Sequence, residues 1–341
     1  MTKTKEKHNF TLLTILLIAG SIATTFIMSE PKNSHGALKE LNLVGKASSF
    51  TPFKSKLCPS PQITYTLDDL VTISGCYTIF SNFPMKFFDE SVVSQKQVIR
   101  TTDAQYLSLR RMHNGNKPYN FTNITYGPQV YGTTRPDGIE LGDAAFPSLN
   151  NGHPRWEVMA HEQGHNFFGG TSAFYGALAF GHPFLQESLA VLSAFFTYHD
   201  IVDSPKKSVF SKKTIGSLKY DFGNGRKYQE SQYNLYLSLG SPFNVDDVLT
   251  SQALDYKMIT YGEKYGWNSY IKFAKAFENG IAPQFTFHHD GASATEQSTY
   301  VVAALGAAFN RDFRPDFREL NFPIDEVLYA EVYPKIKNYI M

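Results

Sequence analysis

The chain has little of several residue types and patterns that would place it in a class at once. Its 341 residues include only 2 cysteines and 2 tryptophans, and they show no internal repeat. The 32 Lys and Arg nearly balance the 31 Asp and Glu, for a formal net charge of +1, so the basic excess of a nucleic-acid-binding protein is missing. Charged residues make up 18% and hydrophobic residues 42% of the chain, which excludes a disordered protein. Because only one long uncharged run is present, a multi-pass membrane protein is also excluded.

That uncharged run lies near the N-terminus, at residues 10–28, and three lysines precede it. As a helix it would be roughly 28 Å long, close to the thickness of a bilayer core. The lysines fit both a signal peptide and the flank of a membrane anchor, so residues 1–28 are predicted to be one or the other. Accordingly, we expect a protein that is secreted, or held at the cell surface by a single transmembrane helix at residues 10–28. A buried N-terminal core helix is the remaining interpretation.

The two cysteines are Cys58 and Cys76. An even number of cysteines fits one disulfide in an oxidising compartment, which agrees with the predicted location. Two free buried thiols fit the sequence as well, so both interpretations stay open.

Residues 29–60 are rich in Ser, Pro and Lys and show no clear periodicity, which predicts a linker or stalk. Residues 61–152 carry β-branched and aromatic residues that alternate with polar ones between Gly or Pro boundaries, as in strands. The main signals are strands at Gln62–Thr66, Val71–Ile79 and Asn123–Tyr126, with a helical or mixed piece at Ser94–Met112.

After Pro154 the pattern becomes helical, with starts and stops marked by Pro and Gly residues. The predicted helices are 155–168, 184–199, 248–265, 267–278, 293–309 and 324–340. We therefore predict an α+β fold, in which a β-rich N-terminal lobe (61–152) is followed by a helical C-terminal lobe (153–341).

The strongest chemical signal is an H-E-x-x-H motif, His161-Glu-Gln-Gly-His165, inside the helix predicted at 155–168. Histidines four residues apart lie on the same face of a helix, so both imidazoles can reach one metal ion. Zinc binds imidazole nitrogens at about 2.0–2.1 Å, which this spacing permits. Glu162 lies beside the metal rather than pointing at it, where it can act on a water molecule as a general base.

Glu187 is the predicted third metal ligand. The metzincin form of the motif would need a glycine and a third histidine downstream, but Phe168 and Thr171 occupy those positions. A second amphipathic helix follows Pro183, and Glu187 shares its inward face with Val191. The stretch between the two helices is rich in Gly and Ala, which lets the second helix fold back against the first. A His-His-Glu set with an open fourth position is typical of thermolysin-like catalytic zinc sites.

This pattern, H-E-x-G-H followed after a gap by a lone glutamate, resembles the enhancin-type (mucin-degrading) gluzincin metallopeptidases. Gly164 matches the glycine of the motif. Since glycine inside a helix costs about 1 kcal/mol, it indicates the close approach of another element near the metal. The resemblance covers residues 85–325 and includes a Gly-Trp after a helix at Lys264–Ile271 and a Phe-Pro element at 316–323. Asn321 stands where the family usually has a tryptophan.

The resemblance implies a zinc-dependent endopeptidase that acts outside the cytoplasm on proteins or glycoproteins. In that interpretation His161, His165 and Glu187 hold Zn²⁺, and Glu162 takes the proton from the water that attacks the peptide carbonyl. No nucleic-acid partner is expected, and a membrane is contacted only through the N-terminal segment if it is retained. The alternatives are a surface binding or adhesion module with a structural or inactive zinc site, and a zinc hydrolase for a non-peptide amide. Glu162 favours an enzyme, because a structural site has no need of a general base.

Two expectations concern the surroundings of the motif. Residues Gly138–Ala145 resemble an edge strand, and we expect them to pair with an extended substrate backbone. One turn after Glu187, where thermolysin-like enzymes carry an aspartate, this chain has Val191. The sequence therefore does not identify the group that orients the two histidines.

Overall fold

A computed structural model of the protein describes residues 61–65, 69–88, 93–135, 137–143, 154–169, 183–203, 208–277 and 293–341. The chain divides into two units, one of which is Phe53–Met341. All described residues belong to this unit. The predicted signal peptide or anchor and the predicted linker at 29–60 lie outside the described residues.

The predicted location needs correction. Among the helices that the structure describes, none is both long and apolar enough to cross a bilayer. The anchor was predicted from residues 10–28 alone, which are not among the described residues. Five Ser or Thr residues dilute the hydrophobicity of that run, so its length was a poor guide. The prediction of a location set by a transmembrane helix is therefore wrong.

One mixed sheet of six strands forms from the N-terminal part of the described chain. The strands are β1 (Gln62–Tyr65), β2 (Leu70–Ser74), β3 (Thr78–Pro84), β4 (Thr122–Tyr126), β5 (Gly132–Arg135) and β6 (Gly138–Leu141). They lie in the order β1-β2-β3-β4-β6-β5. β4 runs parallel to β3 and to β6, while the other neighbours are antiparallel. The parallel pairing of β3 and β4 needs a crossover, which the helix α1 (Gln95–Met112) supplies.

Asp103 of α1 divides what the sequence indicated as one strand at Val71–Ile79. Its buried carboxylate accepts hydrogen bonds from the backbone N–H groups of residues 76, 77 and 78, at 2.8, 3.0 and 2.8 Å. Gly75 begins this turn, and a Cβ there would lie only 2.6 Å from Oδ1 of Asp103. The chain therefore reverses after Ser74 and continues as β3.

Cys76 lies in the same turn and is disulfide-bonded. Cys58, the other cysteine of the sequence, lies outside the described residues. Of the two interpretations that the sequence left open, free thiols are therefore excluded for Cys76.

The remainder of the described chain is helical. After α1 come α2 (Trp156–Gly169), α3 (Pro183–Val202), α4 (Lys212–Ser238), α5 (Val248–Tyr265), α6 (Ser269–Lys275), α7 (Ala294–Phe309), α8 (Arg314–Arg318) and α9 (Glu326–Ile340). The predicted α+β class is confirmed. The helix predicted at 155–168 corresponds to α2, whereas α4 was not predicted.

Two buried hydrophobic clusters meet at α2 and α3. One joins the sheet and α1 to α2, α3 and α4, and it contains Phe80, Trp156 and Phe195. The other packs α3 against the helices from α5 to α9, with Leu189 and Tyr300 among its members. Because α3 contributes to both clusters, it lies between them, and α2 is enclosed between α3 and the sheet.

Candidate metal centre

The helices α2 and α3 approach each other closely at Gly164. A Cβ built on Gly164 would lie 2.6 Å from Cβ of Ser193 and 3.2 Å from Cα of Ala190, both on α3. Side-chain atoms at such distances would overlap, so only glycine allows this contact. The close approach that the sequence indicated is therefore present, and α3 is the approaching element. Glu187 lies one turn before Ala190, which places it opposite the histidines of α2.

Replacing Gly164 with alanine should force α2 and α3 apart. The expected result is a loss of stability of about 1–3 kcal/mol from overpacking and a roughly 10-fold or larger loss of zinc affinity, because ligands from two helices no longer converge. Thermal unfolding and zinc titration measure the two effects. Gly223→Ala on α4 is the control, since nothing lies within 4 Å of a Cβ there. It should stabilise by about 0.5–1 kcal/mol. Wild-type zinc affinity in Gly164→Ala would show that the contact does not set the site.

Three predicted ligand side chains come together at this contact. Nε2 of His161 and Nε2 of His165 are 3.1 Å apart. Oε2 of Glu187 is 3.2 Å from Nε2 of His161, and its Oε1 is 3.6 Å from Nε2 of His165. Ligand atoms placed tetrahedrally around zinc at about 2.0–2.1 Å would lie about 3.3–3.4 Å from one another. The three donors therefore fit one tetrahedral metal ion. No other trio of His, Cys, Asp or Glu residues gathers in this way within the described parts of the chain.

Solvent reaches this site from the side of Glu187. The Glu187 side chain is 43% exposed, whereas the two imidazoles are 17% and 20% exposed. Glu187 is thus the most exposed of the three side chains.

The charges of the trio are strongly coupled. Burial opposes the charged form of His161, but the hydrogen bond and charge of Glu187 outweigh it and raise the pKa of His161 to about 10. The same contacts outweigh burial at Glu187 and lower its pKa to about 2. Burial lowers the pKa of His165 to about 4. Without metal, one imidazolium thus pairs with the carboxylate while the other imidazole stays neutral, ready to donate a lone pair.

Glu162 is not one of the three converging residues, and its side chain lies against Gly132 of β5. It is 7% exposed, and burial, together with the charges of Glu187 and Glu157, raises its pKa to about 7. Opposing this shift are the charge of His161 and a hydrogen bond from the Thr134 side chain. Glu162 is therefore outside the ligand set but within the same site.

Among the strands that the structure describes, β5 is the edge of the sheet next to this site, not the segment that the sequence indicated. β6 (Gly138–Leu141) lies between β4 and β5 and pairs with both. The prediction of an edge strand at Gly138–Ala145 is therefore wrong for its described part. β5 pairs antiparallel with β6, and Arg135 of β5 lies opposite Gly138 of β6.

The N-terminus of α2 is fastened by α4. Oδ2 of Asp221 accepts the backbone N–H of Glu157 at 2.8 Å, and its Oδ1 is 3.1 Å from Nε of Arg155. The indole N–H of Trp156 donates to the hydroxyl of Ser217 at 2.9 Å. A carboxylate at this end also interacts favourably with the helix dipole. Burial and the charge of Glu157 nevertheless raise the pKa of Asp221 to about 7.

Replacing Asp221 with asparagine should change how stability depends on pH. The folded-state pKa of about 7 lies above the value of about 3.9 for an unfolded aspartate, so the folded state holds the proton more tightly. The contribution of this group is full below about pH 4 and is lost as the pH rises through 7. The free energy of unfolding of the wild type, relative to Asp221→Asn, should therefore fall between pH 5 and pH 8. Urea denaturation at both pH values measures this, and an unchanged difference would contradict the raised pKa.

A further carboxylate lies deeper, on α5. Asp255 is 2% exposed and lies near Ser188, the residue after Glu187, whose hydroxyl donates to the backbone oxygen of Ser251 at 3.1 Å. Burial raises the pKa of Asp255 to about 8, and the charges of His161 and Glu187 also act on it. Asp255 is thus an acidic group from another helix whose charge interacts with the trio. No sequence signal pointed to Asp255 or to Thr134, because both reach the site only through tertiary packing.

Comparisons with known proteins give a likeness in fold alone. No protein-family model and no curated protein matches the chain. A similar solved structure is the crystal structure of a functionally unknown conserved protein mutant from Bacillus anthracis str. Ames, with a TM-score of 0.50 and 11% sequence identity. The match covers 80% of this chain and 54% of that one. This chain therefore spans about half the length of that protein.

Proposed function

We propose that this protein is a zinc-dependent endopeptidase of the gluzincin type, similar to the enhancin-type enzymes. The observation that carries the proposal is the convergence of His161, His165 and Glu187, whose donor atoms lie 3.1, 3.2 and 3.6 Å apart. Glu162 stands beside them without belonging to the ligand set. Two imidazoles, one carboxylate and a separate buried glutamate are the groups that a catalytic zinc peptidase needs.

The chemistry follows from the roles of these side chains. Zinc bound by the three donors would supply a Lewis acid that lowers the pKa of water towards 7 and polarises the carbonyl to be cleaved. Glu162 accepts the proton of the attacking water and passes it to the leaving amine. Its 7% exposure limits exchange of that proton with bulk solvent.

The neighbouring sheet edge supports an extended polypeptide as the substrate. Among the described strands β5 pairs only with β6, so its other side can offer backbone N–H and C=O groups to an added strand. A chain aligned along β5 passes Gly132, which lies against Glu162. Tyr131, just before the strand, is 39% exposed and adds aromatic surface. A protein or glycoprotein segment in extended conformation is therefore the proposed substrate.

Metal analysis combined with an endopeptidase assay on the full chain tests this function. We expect stoichiometric zinc, cleavage of casein or a glycoprotein, loss of cleavage with a chelator, and recovery when zinc is returned. Stoichiometric zinc without any hydrolysis would instead support the binding or adhesion alternative. Mixed peptides left uncut, while a simple amide is hydrolysed, would support a hydrolase for non-peptide amides.

A further inference from the structure

The side chain of Glu162 lies directly against the backbone of β5. A Cβ built on Gly132 would lie 2.6 Å from Oε1 of Glu162 and 3.0 Å from its Cγ and Cδ. These three nearest atoms all belong to one flexible side chain, so a methyl group at Gly132 would displace the carboxylate rather than the strand. Glycine at this position leaves the space that the carboxylate occupies.

Thr134 reaches the same carboxylate from the next position on that face of the strand. Residues two apart in a strand point to the same side of a sheet. Gly132 pairs with Leu141 and Thr134 with Ile139, and both partners are fully buried. The Thr134 side chain lies close enough to Glu162 to lower the pKa of its carboxyl group. Gly132 and Thr134 thus both face the carboxylate of Glu162. Gly132 leaves the space that the carboxylate occupies, and Thr134 presents a hydroxyl group to it.

We propose that β5 positions the carboxylate of Glu162, with Gly132 providing its space and Thr134 holding one of its oxygens. With one oxygen held by Thr134, the other oxygen meets a reacting water at a fixed distance. β5 is also the edge of the described sheet. The same strand would therefore position both the carboxylate of Glu162 and a substrate strand that pairs with β5. Gly132 and Thr134 are positioning residues, since they act through Glu162. The effect on hydrolysis rests on the proposed function, whereas the placement of the carboxylate does not.

Gly132→Ala tests the space that Gly132 leaves. We expect kcat to fall about 10-fold or more, with a much smaller change in KM. The reason is that the carboxylate of Glu162 is moved while the metal ligands and β5 stay in place. Zinc content and melting temperature should stay near those of the wild type. Gly216→Ala on α4 is the control, because nothing lies within 4 Å of a Cβ built there. Its kcat should equal that of the wild type.

Thr134→Val and Thr134→Ser test the hydroxyl group. Valine keeps the shape and should lower kcat about 10-fold, whereas serine keeps the hydroxyl and should restore most of the loss. A merely structural role would make the serine variant the worse one, since it removes a methyl group.

Crystal structures of zinc-loaded Gly132→Ala and Thr134→Val provide a readout that does not depend on activity. The Glu162 carboxylate should be displaced in both. A carboxylate that stays at its wild-type position in both variants would overturn the proposal. If the zinc-loaded wild type cleaves no peptide, the proposed function fails, and the carboxylate positions in the same structures still decide the role of β5.

Discussion

Glu162→Gln should abolish hydrolysis while leaving the metal in place. Glutamine keeps the size of the side chain but accepts no proton, and a lost general base lowers rates about 10²- to 10⁴-fold. Zinc content should persist, because Glu162 is not one of the three converging ligands. The fold should also persist, since burial already opposes the charge at this position. Casein hydrolysis measured beside zinc stoichiometry gives both results.

Glu157→Gln is the matched control for this experiment. Glu157 lies five residues earlier on α2, pairs with Arg155 at 3.8 Å, and is absent from the ligand set. We expect it to keep at least most of the wild-type activity. Full activity in Glu162→Gln would rule out the proposed mechanism, and equal losses in both variants would indicate a general effect of charge on α2.

Glu187→Ala should weaken zinc binding on the order of 100-fold or more, because two imidazoles alone hold the ion poorly and nothing replaces the negative charge. Glu187→Gln should fall between this variant and the wild type, since an amide oxygen is a neutral and weaker donor. Zinc titration with a competing chelator measures the affinities.

An exposed glutamate elsewhere serves as the control for Glu187. Glu230 on α4 makes only a distant ion pair with Arg226, at 3.8 Å, so Glu230→Ala should bind zinc as the wild type does. Undiminished zinc affinity in Glu187→Ala would remove Glu187 from the ligand set. In that case, the approach of Glu187 to the two histidines, at 3.2 and 3.6 Å, would be only an ion pair of the metal-free protein.

The trio could be predicted from the sequence because its geometry is mostly local. His161 and His165 are fixed by helix periodicity, and Glu187 needs only a second helix that folds back onto the first. Gly164 even indicated that another element comes close. The strand β5, which contacts Glu162 from the side of the sheet, could not be predicted from the sequence. Its four residues, GTTR, contain no hydrophobic alternation, so nothing in Gly132–Arg135 indicates a strand.

The missed helix α4 illustrates a second limit of the sequence. Lys212–Ser238 contains Gly216, Gly223 and Gly225, which disfavour a helix by about 1 kcal/mol each. Tertiary contacts offset that cost, among them the hydrogen bonds of Asp221 and Ser217 to the start of α2. Such contacts cannot be read from periodicity, because they join residues more than sixty positions apart. The role of Asp103 could not be predicted for the same reason. This residue lies on the neighbouring helix α1 and divides the strand predicted at 71–79 into two.

A sheet edge left open for another chain carries a risk of self-association, since the edge of a second copy could add to it as readily as a substrate. β5 is poorly suited to such stacking. It is only 4 residues long, so two copies would share few hydrogen bonds. It ends at Arg135, whose side chain is 50% exposed, and a charged group at an edge discourages growth of an extended sheet. The brevity of β5 would therefore let the edge receive a single peptide while protecting the protein from aggregating through it.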